Sequence, residues 1–163
     1  MSTPSFTTST DTLATVNRVL AERAQLPGAL LPVLHGVQDA LGHIPRDAVP
    51  EIARALNLSR AEVHGVITYY HHFREAPAGH HVLQVCRAES CRAMGGEALL
   101  GHARASLGCS ETQHLSENGS YSVEPVYCLG LCASSPAVVL DGRLHARMTP
   151  ARLDALLAQK SGT

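Results

Sequence analysis

Two close cysteine pairs stand out in the chain: Cys86 and Cys91 enclose four residues, and Cys128 and Cys132 enclose three. Thiolates favour soft or borderline metals, so a zinc ion or an iron-sulfur cluster is the chemistry these pairs invite. Neither spacing excludes zinc, and four cysteines alone do not fix a cluster type. A thiol-disulfide catalyst is a third option, although the Cys-x-x-Cys spacing at a helix start is missing. The plain alternative is a set of ordinary buried thiols, since free cysteine is often buried. Gly95 and Gly96 follow the first pair and Gly130 lies within the second, where glycine lets backbone approach a bound group or simply turns the chain. The amino end of the helix that Gly95 and Gly96 open would offer positive potential to four anionic sulfurs.

For the two pairs to meet, the elements before them must end at one rim. Val82, Leu83 and Val85 make a short β-branched run ending at Cys86, and Tyr121, Val123 and Val126 make a second, in which Pro125 predicts an edge or an end. Between them Ala93 to Leu107 reads as a helix closed by Gly108, so the two strands should be parallel and share their carboxyl ends. Each pair would then sit where a strand gives way to a loop. Ala137 to Leu140, Asp141-Gly142 and Arg143 to Arg147 read as a hairpin with a type I′ turn, and Thr149 with Pro150 opens a last helix carrying Leu153, Leu156 and Leu157 inward. The expected fold class is α/β (α+β), with a mixed sheet of thioredoxin-like outline over residues 80–160.

The first half has a different texture. Residues 1–10 read as a flexible Ser/Thr-rich tail, and residues 11–76 as a helical domain of four short amphipathic helices. Leu13, Val16, Leu20 and Ala24 mark the first helix. Leu30, Leu34, Val37 and Leu41 mark the second, ended by Gly42; Val49, Ile52, Ala53 and Leu56 mark the third, with Asn57 as terminator. Ser59 and Glu62 form a capping box opening the fourth, through Val63, Val66 and Ile67. Pro77, Ala78 and Gly79 mark the linker.

Composition narrows the function. Of 163 residues, 45% are hydrophobic and 17% charged, which is globular, and a formal charge of -1 leaves no basic surplus for nucleic acid. No apolar run approaches the ~20 residues of a membrane span. Five cysteines without a secretion signal argue against paired disulfides and for a soluble cytoplasmic protein. Dinucleotide fingerprint, P-loop and nucleophile-base pairing are all missing, so no complete active site is expected.

The strings VLQVCRAESC from Val82 to Cys91 and VYCLGLCASSPAVVLDG from Val126 to Gly142 resemble the thioredoxin-like [2Fe-2S] ferredoxin subunits that accompany FMN- and NAD-binding subunits. Those are the 24-kDa type subunit of respiratory complex I, its equivalent in NAD-reducing hydrogenases, and the gamma subunit of soluble NAD-dependent formate dehydrogenases. LLPVLHGVQDALGHIP and ALNLSRAEVHGVITYYHHF are similar to the same family's helical segment, and the likeness spans about Leu13 to Leu157. CRAESCRAMGGEALL with VYCLGLCASSP resembles the formate dehydrogenase gamma subunit most. The resemblance implies one [2Fe-2S] cluster on Cys86, Cys91, Cys128 and Cys132, two cysteines per iron if neighbours stay together. It also implies a non-catalytic electron-transfer role. FMN, NAD, further iron-sulfur clusters and a molybdenum cofactor would sit on partners, a beta-type FMN/NAD subunit and a molybdenum-containing alpha-type subunit. Cys109 matches no ligand position and reads as an inert core thiol.

Other features admit two readings each. Tyr69, Tyr70 and Phe73 are three of the six aromatics and suit either a contact with the flavin subunit or ordinary packing at the junction. His71-His72 and His80-His81 are assigned to surface or interface roles, because adjacent side chains diverge and four cysteines already complete a site. Arg87, Glu89 and Arg92 read as a solvated or partner-facing rim. The rival from another class is a zinc-stabilised structural adaptor.

Overall fold

The computed structural model describes residues 9–160, in two compact units that part between Pro77 and Ala78. In the first, apolar residues at helical spacing build four helices: α1 (Ser9–Arg23), α2 (Leu30–Leu41), α3 (Ala48–Ala55) and α4 (Arg60–Tyr69). Residues 1–8 of the expected tail lie outside the described residues, while Ser9 and Thr10 already belong to α1. Gly42 ends α2 at φ 78°, and Asn57 follows α3 at φ 53°, both left-handed as a helix stop requires. Around Ser59 the capping box is complete: its N–H donates to Glu62 Oε2 (2.8 Å) and its Oγ accepts from the Glu62 N–H (3.1 Å).

The buried face of α2 is rotated from the expected stripe. Val33, Leu34 and Val37 are sealed together with Gly36 and Gln38, while Leu30 and Leu41 only border the core. Gly36 explains the rotation, because a Cβ there would stand 2.7 Å from Val19 of α1. Buried Gln38 then pins the chain after α4: its Nε2 donates to the His72 carbonyl (2.8 Å) and its Oε1 accepts from the Arg74 N–H (2.7 Å). Both polar ends of the amide are satisfied, which is what makes its burial tolerable.

In the second unit a four-stranded sheet has the order β2-β1-β3-β4, with β1 (His81–Cys86), β2 (Tyr121–Val126), β3 (Val138–Leu140) and β4 (Arg143–His145). β1 pairs with β2 in parallel and with β3 antiparallel, so the sheet is mixed as its connections demand. Pro125 lies on β2, an edge strand, where a missing N–H costs no central ladder bond. Asp141 and Gly142 join β3 to β4 at φ 50° and 77°, the two positive values of a type I′ turn, and β4 is shorter than expected, ending at His145.

The expected single helix from Ala93 is two: α5 (Glu89–Ala93) and α6 (Gly96–Leu107), separated at Gly95, whose φ of 93° an ordinary helix cannot hold. α6 packs on β1 and β2 and against α7 (Pro150–Lys160), whose Thr149 cap accepts from the Arg152 N–H (3.3 Å). Leu83, Leu99, Leu140 and Leu153 are all within 1% of full burial, each contributing roughly 1.5–3 kcal/mol. At the turn end of the sheet Asp141 clasps β1 and α7, taking Lys160 Nζ and His81 Nδ1 at 2.9 Å each and the Val82 N–H at 3.1 Å. Among the described residues no helix is long and apolar enough to cross a membrane.

Candidate metal centre

Cys86 is the last residue of β1 and lies opposite Val126, the last residue of β2. Parallel pairing therefore delivers both strand ends to one rim. The Arg87 N–H extends the ladder to the Val126 carbonyl (2.8 Å), and the Cys86 N–H reaches the Ala137 carbonyl (3.1 Å). The Arg87 guanidinium then grips Glu97 at two points, 2.8 and 3.0 Å, so the residue after the first cysteine is tied to the first turn of α6. Arg87 thus has a partner within the chain and is partly exposed, while Glu89 and Arg92 are exposed. The chain next enters α5, so Cys91 sits inside a short helix and not on a loop.

The second pair is placed by local backbone. Cys128 adopts φ 76° and Gly130 φ 77°, and Cys132 opens a single turn of 3-10 helix, Cys132–Ser134. Left-handed backbone is unusual for a residue with a side chain and occurs where surrounding structure compels it. The Cys128 and Cys132 sulfurs stand 3.8 Å apart. Two thiolates at ~2.3 Å on one tetrahedral metal are separated by about this same distance.

The two loops meet at the Cys86 sulfur. Burial would raise this thiol, but the N–H of Ala88, the Cys91 thiol and the N–H groups of Cys128 and Leu129 outweigh it and hold it below the ordinary cysteine value. Cys132 is held above its ordinary value, first by its hydrogen bond to Cys128 and that neighbour's charge, then by burial and the charges of Cys91 and Cys86. All four sulfurs are thus within electrostatic reach, and their mutual repulsion is the kind a cationic centre relieves. They gather as two couples: among the described residues no group of three or more His, Cys, Asp or Glu side chains suits a single metal ion. The donor set of four thiols, with amides aimed at one sulfur, fits an iron-sulfur cluster.

Gly96 has a role its position did not announce. A Cβ there would stand 2.7 Å from the Cys91 carbonyl oxygen and 3.0 Å from that of Cys86, so glycine lets α6 close on the backbone of both cysteines. Gly130 has open space around it and serves its turn.

Ser90, Ser135 and Glu97 were not legible as site residues, because their partners lie 42, 44 and 10 positions away. Cys109 is apart from the site, half-buried against the sheet core, with burial raising its thiol. His81 is engaged by Asp141, and the His72 ring lies 5.0 Å from that of His35. The aromatic trio divides: Phe73 is buried in the helical core, while Tyr69 is 74% and Tyr70 43% exposed.

Comparison with known proteins places this geometry. The thioredoxin-like [2Fe-2S] ferredoxin family matches residues 16–161. The chain is 35% identical to an NADH-quinone oxidoreductase subunit of Rhizobium meliloti over 79% of its own length and 76% of that protein's. It is also 35% identical to NADH-quinone oxidoreductase subunit 2 of Thermus thermophilus, over 80% and 72%. Among solved structures it resembles an NAD+-reducing [NiFe]-hydrogenase in the H2-reduced state, with a TM-score of 0.67 and 25% identity. That likeness covers 82% of this chain and only 22% of the hydrogenase chain. Sharing nearly its whole length with one family, this chain belongs to the thioredoxin-like [2Fe-2S] ferredoxins.

Proposed function

We propose that the chain is the [2Fe-2S] electron-transfer subunit of a soluble, NAD-dependent, molybdenum-containing formate dehydrogenase, with Cys86, Cys91, Cys128 and Cys132 as the cluster ligands. The observation that carries the ligand assignment is the meeting of two distant couples at the end of one parallel strand pair. Two couples at one rim, with the Cys128 and Cys132 sulfurs at the spacing of neighbouring corners of a tetrahedral metal, suit a binuclear centre better than one zinc ion. When bound, such a cluster takes up and releases one electron at a time, the step that links a one-electron relay to a flavin able to gather two for NAD.

This chain's own residues hold and shield. Cys86 and Cys91 pack with Ala137 away from water, and Arg87 with Glu97 fixes the turn between them. Cys128 and Cys132 stay at the surface, where a partner's cofactor has the shortest approach. Residues 80–160 form the cluster domain, and residues 11–76 form a docking domain that offers exposed Tyr69 and Tyr70 to a beta-type FMN/NAD subunit. The molybdenum centre sits on an alpha-type subunit, and the assembly works in the cytoplasm, where thiols stay reduced.

The formate assignment is supported by the CRAESCRAMGGEALL and VYCLGLCASSP strings. A second reading, the equivalent subunit of complex I or of an NAD-reducing hydrogenase, is favoured by the names of the relatives above. Anaerobic purification of the native assembly separates them. Formate-dependent NAD reduction with molybdenum present is the expected result, while hydrogen-dependent reduction or NADH-driven quinone reduction selects the second reading. Two irons and two labile sulfides per chain are expected; zinc in their place reduces the chain to a structural adaptor.

A further inference from the structure

Ser90 and Ser135 are 45 positions apart in sequence, yet their hydroxyl oxygens are 2.9 Å apart. Each also lies 2.9 Å from the Cys132 carbonyl oxygen, and Ser135 Oγ is 3.4 Å from the Cys91 sulfur. These two hydroxyls therefore touch the backbone of one cysteine couple and the sulfur of the other.

A count of protons shows what the arrangement can do. Each hydroxyl has one proton to give and lone pairs to receive. With Cys91 as a thiol, its one S–H serves either Ser135 Oγ or the Cys86 sulfur, and both serine protons are available to the Cys132 carbonyl. A sulfur that ligates iron has lost its proton, because the thiolate is the ligand. The contact with Cys91 then survives only if Ser135 turns its O–H toward the sulfur. Ser90 makes that turn inexpensive, since it alone keeps the Cys132 carbonyl satisfied.

We propose that in the loaded protein Ser135 donates its hydroxyl proton to the Cys91 sulfur while Ser90 covers the Cys132 carbonyl, so that this serine pair raises the centre's reduction potential. The proposal rests on the four-cysteine reading above. Its physical basis is that one added electron makes the ligand sulfurs more negative, and a hydrogen bond to sulfur is stronger in the reduced state than in the oxidised one. The donors at Cys86 include backbone amides, which side-chain substitution leaves in place; at Cys91 the donor is a side chain, open to test. Ser135 acts through a ligand and is a positioning residue.

The test uses the full chain carrying its cluster, with the midpoint potential read by redox titration. Ser135→Ala should lower the reduced-to-oxidised ratio at a fixed ambient potential about tenfold, equal to a fall of about 59 mV for one electron. Ser135→Thr keeps the hydroxyl and should keep the original potential. Ser90→Ala sets the Cys132 carbonyl in competition for the Ser135 proton, so the ratio should fall less, about threefold; the double alanine variant should match Ser135→Ala alone. Besides the backbone amides at Cys86, the reduced unaltered protein should show one further proton that is coupled to the electron spin and exchanges in D2O, and Ser135→Ala should lack that one. An unmoved potential in Ser135→Ala, or the same exchangeable proton still present there, overturns the proposal. Should Ser135→Ala fail to fold, an unmoved potential in Ser90→Ala overturns it equally. A loaded chain with an unmoved potential refutes only the serine role, whereas an unaltered chain lacking iron and sulfide refutes the four-cysteine reading itself.

Discussion

Cys86 and Cys91 are 2% and 3% exposed and pack with Ala137 beneath the rim of the sheet, whereas Cys128 and Cys132 face solvent on a loop held by left-handed backbone. The first couple is positioned by long-range structure: a strand ladder, the seat of α6 on Gly96, and the grip of Arg87 on Glu97. The second is positioned by its own turn, with φ near 76° at Cys128 and a single 3-10 turn after it. One couple insulates and the other admits contact. An electron-transfer site needs both, since exposure helps a partner approach while burial is a lever on potential.

The sharpest way to break this comparison is to remove one sulfur from each side. Cys86→Ala and Cys132→Ala should each abolish the cluster, with iron and sulfide falling to background, because each removes one of the four sulfurs. Their metal-free forms should differ. Cys86→Ala leaves a small cavity and should cost about 1–2 kcal/mol in urea unfolding, while Cys132→Ala should stay within about 0.5 kcal/mol. Equal losses would show that both couples are structural.

Thiol accessibility gives the next largest effect. In the metal-free chain, iodoacetamide should reach Cys128 and Cys132 about a hundredfold faster than Cys86 and Cys91, whose reaction must await an opening costing about 3 kcal/mol. Peptide mass mapping over time reads the order directly, and uniform labelling would dissolve the distinction.

Gly96→Ala should then destabilise the second unit by about 1–3 kcal/mol, since the new methyl meets the Cys86 and Cys91 carbonyls, neither of them a flexible group. Gly130→Ala tests the other side: its cost should come from the φ of 77° alone, about 1 kcal/mol, with no clash. A larger loss at Gly130 than at Gly96 would reverse the assignment of long-range and local control.

The smallest effect is a control at the opposite end of the sheet. Burial works to raise the Asp141 carboxyl, but Lys160, His81 and the Val82 N–H outweigh it and hold it below its usual range. A depressed folded value means that the contribution is complete above the unfolded pKa of about 3.9 and is lost as pH falls through the folded value. Asp141→Asn should therefore cost up to about 1 kcal/mol at neutral pH, flatten the acid limb of stability below pH of about 4, and leave iron content unchanged. A fall in iron would mean that the two ends of the sheet are coupled.

Much of this is legible in the amino-acid sequence. Ser59 with Glu62, Gly42, Gly108, Asp141-Gly142 and Pro125 each announce a local geometry that one residue type satisfies, and each is found in it. The parallel relation of the cysteine-bearing strands followed from the crossover helix between them. α5 escaped because five residues hold too little periodicity to separate them from a loop, and only the φ at Gly95 divides it from α6. The serine relay and the Arg87 to Glu97 clamp escaped for another reason: polar pairs carry no periodic signature, and their partners are chosen by the fold. Gln38 belongs to the same class, an ordinary amide by sequence and a two-ended fastener in the structure.

The rung joining Cys86 to Val126 is a datum from which both couples are surveyed. Length changes at exposed Glu111 and Thr112 fall upstream of β2 and of the bond from the Val123 N–H to the His114 carbonyl, and can be taken up before that rung is reached. An insertion between Arg87 and Ser90, or between Tyr127 and Leu131, falls downstream and displaces a sulfur at once. Natural and engineered variants of this chain should therefore differ freely in size on the approach to the second edge strand, and hold an invariant residue count on the two short spans that leave the rung.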